Sequence, residues 1–415
     1  MSAIASAPQP LEVDVAIVGG GMVGASLALA LAGTGRRLLL IESVPFGADA
    51  QPSFDERTTA LGNASRRIFE GLGVWTTLAG EAAPIRSIHV SEAGRFGVAR
   101  LDAAEQGIEA FGYVVANRCI GAALWRKLNG CRDLTVQAPA QVADLVLTPE
   151  SARFTVVTGS GSGAPVVARL VVAADGANSA IRATAGIATD VIDYDQVAVV
   201  ASVAADRPHE GNAYERFTAA GPLAVLPRHD GGLAVIWACR PERAQQLLAC
   251  EESAYLGQLQ EQFGWRAGRF LRAGPRSAYP LKLTRATTTI ATRTVLIGNA
   301  AQALHPVAGQ GFNLGLRDAA MLAEVIAATA GDVGAEPVLR QFAAWRARDR
   351  RGVVRFTDGL IRLFGDSRPG AALLRNLGLL MFDLTPPAKG ALARVSAGFG
   401  GPTPRLARGL SLRHV

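Results

Sequence analysis

The stretch Val13-Asp14-Val15-Ala16-Ile17-Val18-Gly19-Gly20-Gly21-Met22-Val23-Gly24 decides the fold. Its first six residues are short, β-branched and largely apolar, as in a strand buried on both faces of a parallel sheet. The Ala/Leu-rich run from Ala25 to Ala32 reads as a helix, and Arg37 to Ile41 as a second strand that ends at Glu42. The order matches a dinucleotide site. Gly19 permits the tight turn, Gly21 lets a pyrophosphate approach the backbone, and Gly24 lets the helix pack on the strand. The helix N-terminus faces the phosphates, and Glu42 accepts hydrogen bonds from the adenosine ribose hydroxyls. Glycine spacing alone is a weak signal; the two strands, the helix and the terminal acid in order make it a specific one.

Outward from this stretch, the composition bounds the rest. The chain has 415 residues, 49% of them hydrophobic and 19% charged, enough apolar material for a large core and for two or three lobes. The net charge of +7 is spread along the chain with no dense basic run, which disfavours nucleic acid and leaves an anionic cofactor or membrane surface as the better partner. Cys119, Cys131, Cys239 and Cys250 lie far apart with no paired spacing, and the five histidines form no ligand constellation, so neither a metal site nor a disulfide scaffold is expected. Met1 to Pro10 lacks the charged start and apolar stretch of a signal peptide. Val13 to Ala32 is broken by its glycines and is too short to cross a hydrocarbon core of ~30 Å. The expectation is a soluble, cytoplasmic protein. Gly159-Ser160-Gly161-Ser162-Gly163 lacks a following helix and acid and reads as a hairpin tip, so only one dinucleotide fingerprint is present. No nucleophile elbow supports hydrolase chemistry.

Two later segments select among dinucleotides. Leu170-Val171-Val172-Ala173-Ala174-Asp175-Gly176 is a strand ending in Asp-Gly, followed by Ser179 and Arg182. Thr294-Val295-Leu296-Ile297-Gly298-Asn299 leads through His305-Pro306-Val307-Ala308-Gly309-Gln310-Gly311-Phe312-Asn313-Leu314-Gly315 to Asp318, a strand, a glycine-rich loop and a helix starting near Gly311. With these in place the chain resembles the FAD-dependent aromatic hydroxylases of ubiquinone biosynthesis, whose signature is H-P-x-A-G-Q-G-x-N-x-G-x-x-D, and among them most of all the 2-polyprenyl-6-methoxyphenol hydroxylases. The similarity covers most of the chain, including Phe54-Asp55-Glu56-Arg57, Tyr214-Glu215-Arg216-Phe217, Phe263-Gly264-Trp265-Arg266 and Arg276 to Leu281.

The resemblance implies FAD as resident cofactor, with NADPH or NADH and O2 as co-substrates. It places Asp175 and Gly176 near the FAD pyrophosphate, with Arg182 supporting the turn. Arg57 then lies near the flavin and pyrophosphate, with Arg118 as a second arginine at the head of a helix. Gly309, Gly311, Phe312 and Asn313 complete the cofactor set, the glycines clearing the approach of the flavin edge to a helix N-terminus that stabilises negative charge on the reduced ring. Asn299 departs from the family's Gly-Asp; its amide oxygen still accepts a ribityl hydrogen bond without charge, or it caps the following turn. His305, with Pro306, is a candidate proton relay or a loop anchor, and Tyr214 a further catalytic candidate. The reaction implied is insertion of one oxygen atom into a polyprenyl phenol, 2-polyprenyl-6-methoxyphenol to its 1,4-benzoquinol. Hydroxylation at another ring position, or a weakly active flavin-binding scaffold in a quinone-biosynthesis complex, are the alternatives.

The fold class expected is α/β: a Rossmann-like FAD-binding lobe of the aromatic hydroxylase type, an antiparallel substrate sheet and C-terminal helices. Residues 1–80, 110–186 and 280–360 form the FAD lobe, 81–109 and 187–279 the substrate domain, and 361–415 a helical segment with a basic tail. Alternating segments at Val197–Val203, Gly221–Pro227 and Leu233–Trp237 supply the sheet. Tyr214, Arg216, Leu226, Pro227 and Trp237 are candidates to line the substrate wall, with Arg216 the more structural of them. Leu373, Leu374, Leu377, Leu380, Met381 and Leu384 recur at helical spacing, which favours core packing over a surface patch. The surface alternative, helped by Arg394, Arg405, Arg408 and Arg413, implies peripheral contact with the inner face of the membrane.

Overall fold

The computed structural model describes residues 9–45, 57–159, 161, 163–305, 307–365, 368 and 370–412. Leu11–Val18 forms the first strand, buried over its last six residues, and Met22–Leu31 the helix, buried from Gly24 onward. The strand pairs in parallel with Gly163–Ala173 on one side and Leu38–Ile41 on the other; Thr294–Leu296 and Leu134–Gln137 extend the parallel core at its two ends. The lobe is therefore assembled from separated stretches, each an aliphatic run that needs cover on both faces. Helices Met22–Leu31, Asn117–Leu128 and Gln310–Ala328 cover one face, while Phe154, Val156, Ile181 and Ile187 cover the other. The glycine-rich hairpin reads correctly, with Ala152–Thr158 pairing antiparallel to Gly163–Ala173.

A second sheet has the order Gln302–Ala303, Ser277–Ala286, Thr189–Ala205, Leu233–Cys239, Gly221–Pro227, Asn212–Thr218, Ser87–Glu92, Val98–Asp102, with Phe270–Ala273 alongside Thr189–Ala205. It is antiparallel except at one joint, where Asn212–Thr218 runs parallel to Ser87–Glu92. Parallel pairing is available there because the two strands come from separate stretches of chain rather than from one hairpin. The sheet also passes the expected boundary at residue 280, since pairing with Thr189–Ala205 carries Ser277–Ala286 through to Thr189↔Ala286. Helices Pro241–Ala249 and Glu252–Phe263 cover the face turned away from the FAD lobe, burying Trp237, Tyr255 and Phe263.

One expectation for the C-terminal region is overturned. The apolar stripe on the helix Ala371–Asp383 is not core: Leu374 is 71% exposed, Met381 64% and Leu384 70%. The helix docks instead by a polar face. Arg375 and Asn376 are buried and reach Glu92 at 2.7 Å each, while the Gly97 N–H donates to Asn376 Oδ1 at 2.7 Å. The tail packs on the FAD lobe and leaves Arg408 exposed. Leu406 and Leu412 are buried in the FAD lobe core, Leu406 against Gly71, and the Arg405 N–H donates to Glu324 Oε2 at 2.7 Å. Arg413 lies outside the described residues. Among the described residues no helix is long and apolar enough to cross a membrane.

Candidate active site

The glycine turn carries its first strand into a cavity of about 1070 Å³ between the two sheets, slightly beyond the roughly 300–1,000 Å³ of small-molecule sites. Gly19 has φ +104°, and a Cβ there would lie 2.4 Å from the Ala174 carbonyl oxygen; a Cβ on Gly24 would lie 1.9 Å from the Gly19 oxygen. Both positions exclude any side chain. Gly21 precedes the helix and lines the cavity. Glu42 is held in place by backbone: the Gly20 N–H donates to its Oε2 at 2.6 Å and the Val44 N–H to Oε1 at 2.9 Å. A carboxylate has lone pairs to spare for ribose hydroxyls after accepting these. Trp125, which sequence reasoning passed over, donates from Nε1 to the Gly20 oxygen at 3.0 Å and braces the turn from behind.

The second half of the cavity comes from the Asp175 and Gly311 segments. Asp175 accepts the Ile181 N–H at 3.2 Å through Oδ2, while its buried Oδ1 has no partner among the described residues. Arg182 supports this turn, donating to the Ala177 and Ala300 oxygens at 2.8 and 2.9 Å. Arg57 stacks over the Tyr279 ring, 4.5 Å from its centroid, at the cavity wall. The helix begins at Gln310, after Gly309 in the left-handed region at φ +60°. A Cβ on Gly176 or Gly311 would meet nothing within 4 Å, so both open onto the cavity. Asn299 and Phe312 also line it.

His305 is 1% exposed, and burial pushes its imidazole down to about 4, so it is neutral at physiological pH. The Val307 N–H donates to its Nδ1 at 3.1 Å, which leaves the proton on Nε2, and that nitrogen has no partner among the described residues. The loop-anchor role is thus visible in the hydrogen bond, and one donor remains at the cavity. Pro306 lies outside the described residues, as do Phe54, Asp55 and Glu56.

These features fit FAD. The open positions at Gly176 and Gly311 form a cradle that side chains would fill, and the orphaned Asp175 Oδ1 and His305 Nε2 are a buried acceptor and donor of the kind that a polar ligand satisfies. Residues 12–357 match the family model described as the FAD binding domain. The chain is 36% identical over 406 residues to ubiquinone hydroxylase UbiL of Rhodospirillum rubrum, covering 96% of this chain and 93% of that protein. It is 34% identical over 379 residues to 3-demethoxyubiquinol 3-hydroxylase of Escherichia coli, covering 90% and 94%. The chain belongs to the FAD-dependent aromatic hydroxylases of ubiquinone biosynthesis. In fold this hydroxylase resembles p-nitrophenol 4-monooxygenase PnpA of Pseudomonas putida, with a TM-score of 0.77 at 19% identity over 94% of this chain and 99% of that one.

Several expected site residues of the hydroxylase stand elsewhere. Tyr214 is among the residues that line the cavity, but its ring turns to the far face of its sheet, packing edge-on against Phe263 at 5.3 Å, and its hydroxyl donates to the Arg266 oxygen at 3.4 Å. Arg216 Nε donates to the Gln262 oxygen at 2.9 Å, and Trp237 is buried beside Tyr255. Pro227 does not line the cavity; Leu226 does. Strand alternation explains all four, and it puts Glu215, Ala224, Ile236 and Ala238 in the cavity wall instead. Arg118 is at the head of its helix but is exposed and outside the lining, where its neighbour Asn117 stands. The Asn313 amide is fully committed to protein: Oδ1 accepts from the Gly62 N–H and the Ser65 hydroxyl, and Nδ2 donates to the Ala60 and Gly309 oxygens. It shapes the Gly309 loop rather than offering a group to a ligand.

Proposed function

We propose that this hydroxylase inserts one oxygen atom into the ring of a polyprenyl phenol, converting 2-polyprenyl-6-methoxyphenol to the 1,4-benzoquinol, with NADPH or NADH and O2 as co-substrates. The observation that carries the reading is the roof of the cavity. Ala198, Val200, Ala224, Ile236 and Ala238 turn a small-residue apolar sheet face toward the cofactor cradle, leaving space for a flat ring with an apolar substituent. Bound FAD supplies the electron transfer and oxygen activation. The chain holds its nucleotide end through Glu42 and the first helix, and faces the flavin with the N-terminus of Gln310–Ala328, whose N–H dipoles favour negative charge. The apolar roof keeps water from the reacting atoms.

The similarity to 3-demethoxyubiquinol 3-hydroxylase of Escherichia coli favours one second reading, hydroxylation at another position of the same ring. Product analysis after turnover of a short-chain 2-prenyl-6-methoxyphenol decides between them: the para quinol is expected, and a product hydroxylated meta to the phenol overturns the position. Substrate-dependent oxygen uptake by the FAD-loaded protein separates an active hydroxylase from a flavin-binding scaffold.

The work site proposed is the membrane surface. A polyprenyl tail is retained by lipid at about 0.8 kcal/mol per buried methylene, so the substrate has to be taken from a bilayer or from a partner that holds it. The exposed stripe on Ala371–Asp383 supports this, and it lies beside Phe96, 61% exposed in the turn whose Gly97 bonds Asn376.

A further inference from the structure

We infer that the apolar tail of the substrate leaves the cavity along one lane of the second sheet, Leu226, Ala213, Ile88 and Leu101. It reaches the surface at the corner between the helices Ala371–Asp383 and Pro386–Ser396. The assignment rests on the polyprenyl-phenol reading above. The four side chains form one register row across four strands. Ile88 pairs with Ala213 on one side and Leu101 on the other, and Leu226 follows in line one step beyond the pair Tyr214↔Val225. Leu226, Ala213 and Ile88 line the cavity, whereas Leu101 lies past it on the edge strand Val98–Asp102. All four belong to one apolar cluster that also takes in Phe382 and Leu392 from the helix corner. The adjoining row carries Glu215 between Val90 and Ala224, so the lane is the wholly apolar row of the two. The nucleotide side of the cavity is polar, with Glu42, Ser43, Asp175 and Asn178 in its wall.

The helix corner covers the lane and ends it at the surface. The helix Ala371–Asp383 is tied to the edge strand by hydrogen bonds: the Gly97 N–H donates to Asn376 Oδ1 and the Arg100 N–H to Asp383 Oδ1, each at 2.7 Å. Lys389 Nζ lies 3.1 Å from the same Asp383 oxygen, so the polar groups of the corner are engaged with one another. Phe382 and Leu392 are half-buried on the cluster, while Leu384, two residues after Phe382, is 70% exposed. A tail laid under Phe382 and Leu392 therefore meets apolar side chains from the cavity to the exposed stripe. Each methylene moved out of water into such surroundings is favourable, so affinity grows with tail length for as long as the lane continues. Binding energy taken from the tail also holds the ring in place, which is what a choice of ring position requires.

The test uses the full chain loaded with FAD and an analogue of 2-geranyl-6-methoxyphenol whose tail ends in a diazirine. Binding is read from the perturbed flavin absorbance, and the residues labelled on illumination from peptide masses. Label is expected at the corner, on Leu101, Phe382, Leu384 or Leu392, and excess 2-geranyl-6-methoxyphenol should remove it. Bound analogue that labels other segments, or label indifferent to the competitor, overturns the lane. An analogue that does not bind overturns the polyprenyl-phenol reading itself, and the lane with it. Affinity gives a second decision. Wild type should bind 2-geranyl-6-methoxyphenol about tenfold more tightly than the 2-prenyl compound. A213F fills the lane, so that ratio should fall to about twofold or less with FAD affinity unchanged. A wild type without the preference, or an A213F that keeps it, overturns the assignment. If A213F does not hold FAD, the labelling of wild type decides.

Discussion

His305 and Gly311 carry the sharpest consequences at the scale of single residues. An unfolded chain protonates His305 near its ordinary pKa of 6.5, whereas the folded imidazole stays neutral down to about 4. The unfolded state therefore binds more protons between these values. Stability is full above pH 6.5, falls as the pH drops toward 4, and levels off below it, a loss of about 3 kcal/mol from this group. His89 moves the same way, pushed down to about 4 by burial and then by Arg266, Arg100 and Arg216. Urea unfolding of the apoprotein between pH 4 and 7 should show a shallower acid limb in H305N than in wild type; equal limbs would refute a buried neutral imidazole. The glycines separate fold from cofactor. G24A drives a methyl to 1.9 Å from the Gly19 oxygen and is expected to destabilise the apoprotein by about 1–3 kcal/mol or more. G311V projects into open cavity on a helix, so the apo melting temperature should hold while FAD affinity drops at least about tenfold. Unchanged FAD affinity in a folded G311V would place the cofactor elsewhere.

Among the elements, the helix Ala371–Asp383 inverts the usual arrangement, with its polar face inward on Glu92 and Gly97 and its apolar face outward. Its neighbour surface includes Arg95 and Arg100, both exposed, which suits anionic headgroups. The double variant L374E/M381E touches only exposed side chains and should shift stability by no more than about 0.5 kcal/mol. It is expected to abolish salt-sensitive sedimentation with anionic vesicles. Undiminished sedimentation of the double variant would exclude this face. Neutralising the tail arginines is the poorer experiment, because Arg405 Nε donates to the Ser411 oxygen at 3.2 Å and its loss acts on the packing of the tail as well as on its charge.

For the molecule as a whole, the nucleotide cradle draws on distant stretches of chain at once: Gly19 to Val44, Arg57 to Ala60, Asp175 to Ile181 and Ile297 to Phe312. A ligand that spans them stabilises only the folded assembly. FAD at a hundred times its dissociation constant should add about 2.7 kcal/mol and raise the melting temperature accordingly, while NAD, which lacks the flavin contacts, should add little. A rise with NAD and none with FAD would overturn the cofactor reading.

The strand-turn-helix from Leu11 to Leu31, the acid at Glu42, the Asp175 turn and the helix starting at Gln310 were legible in the sequence because each rests on local physics. A glycine is required where a Cβ would strike a carbonyl, an aliphatic run needs two covered faces, and a helix start is marked by its loop. The side of the second sheet that meets the cavity was not legible. Period two divides Ala213, Glu215 and Phe217 from Tyr214 and Arg216, but this sheet is covered on both faces, so either set could have faced the cofactor. Only packing against the helix Glu252–Phe263 chose. The same holds for Leu373 to Leu384, an apolar stripe that reads as core until Arg375 and Asn376 are seen to find Glu92 from a distant strand. Sequence by itself determined the cofactor-binding frame; tertiary structure decided which side chains face the substrate and which face the outside, because that choice is made by partners far away along the chain.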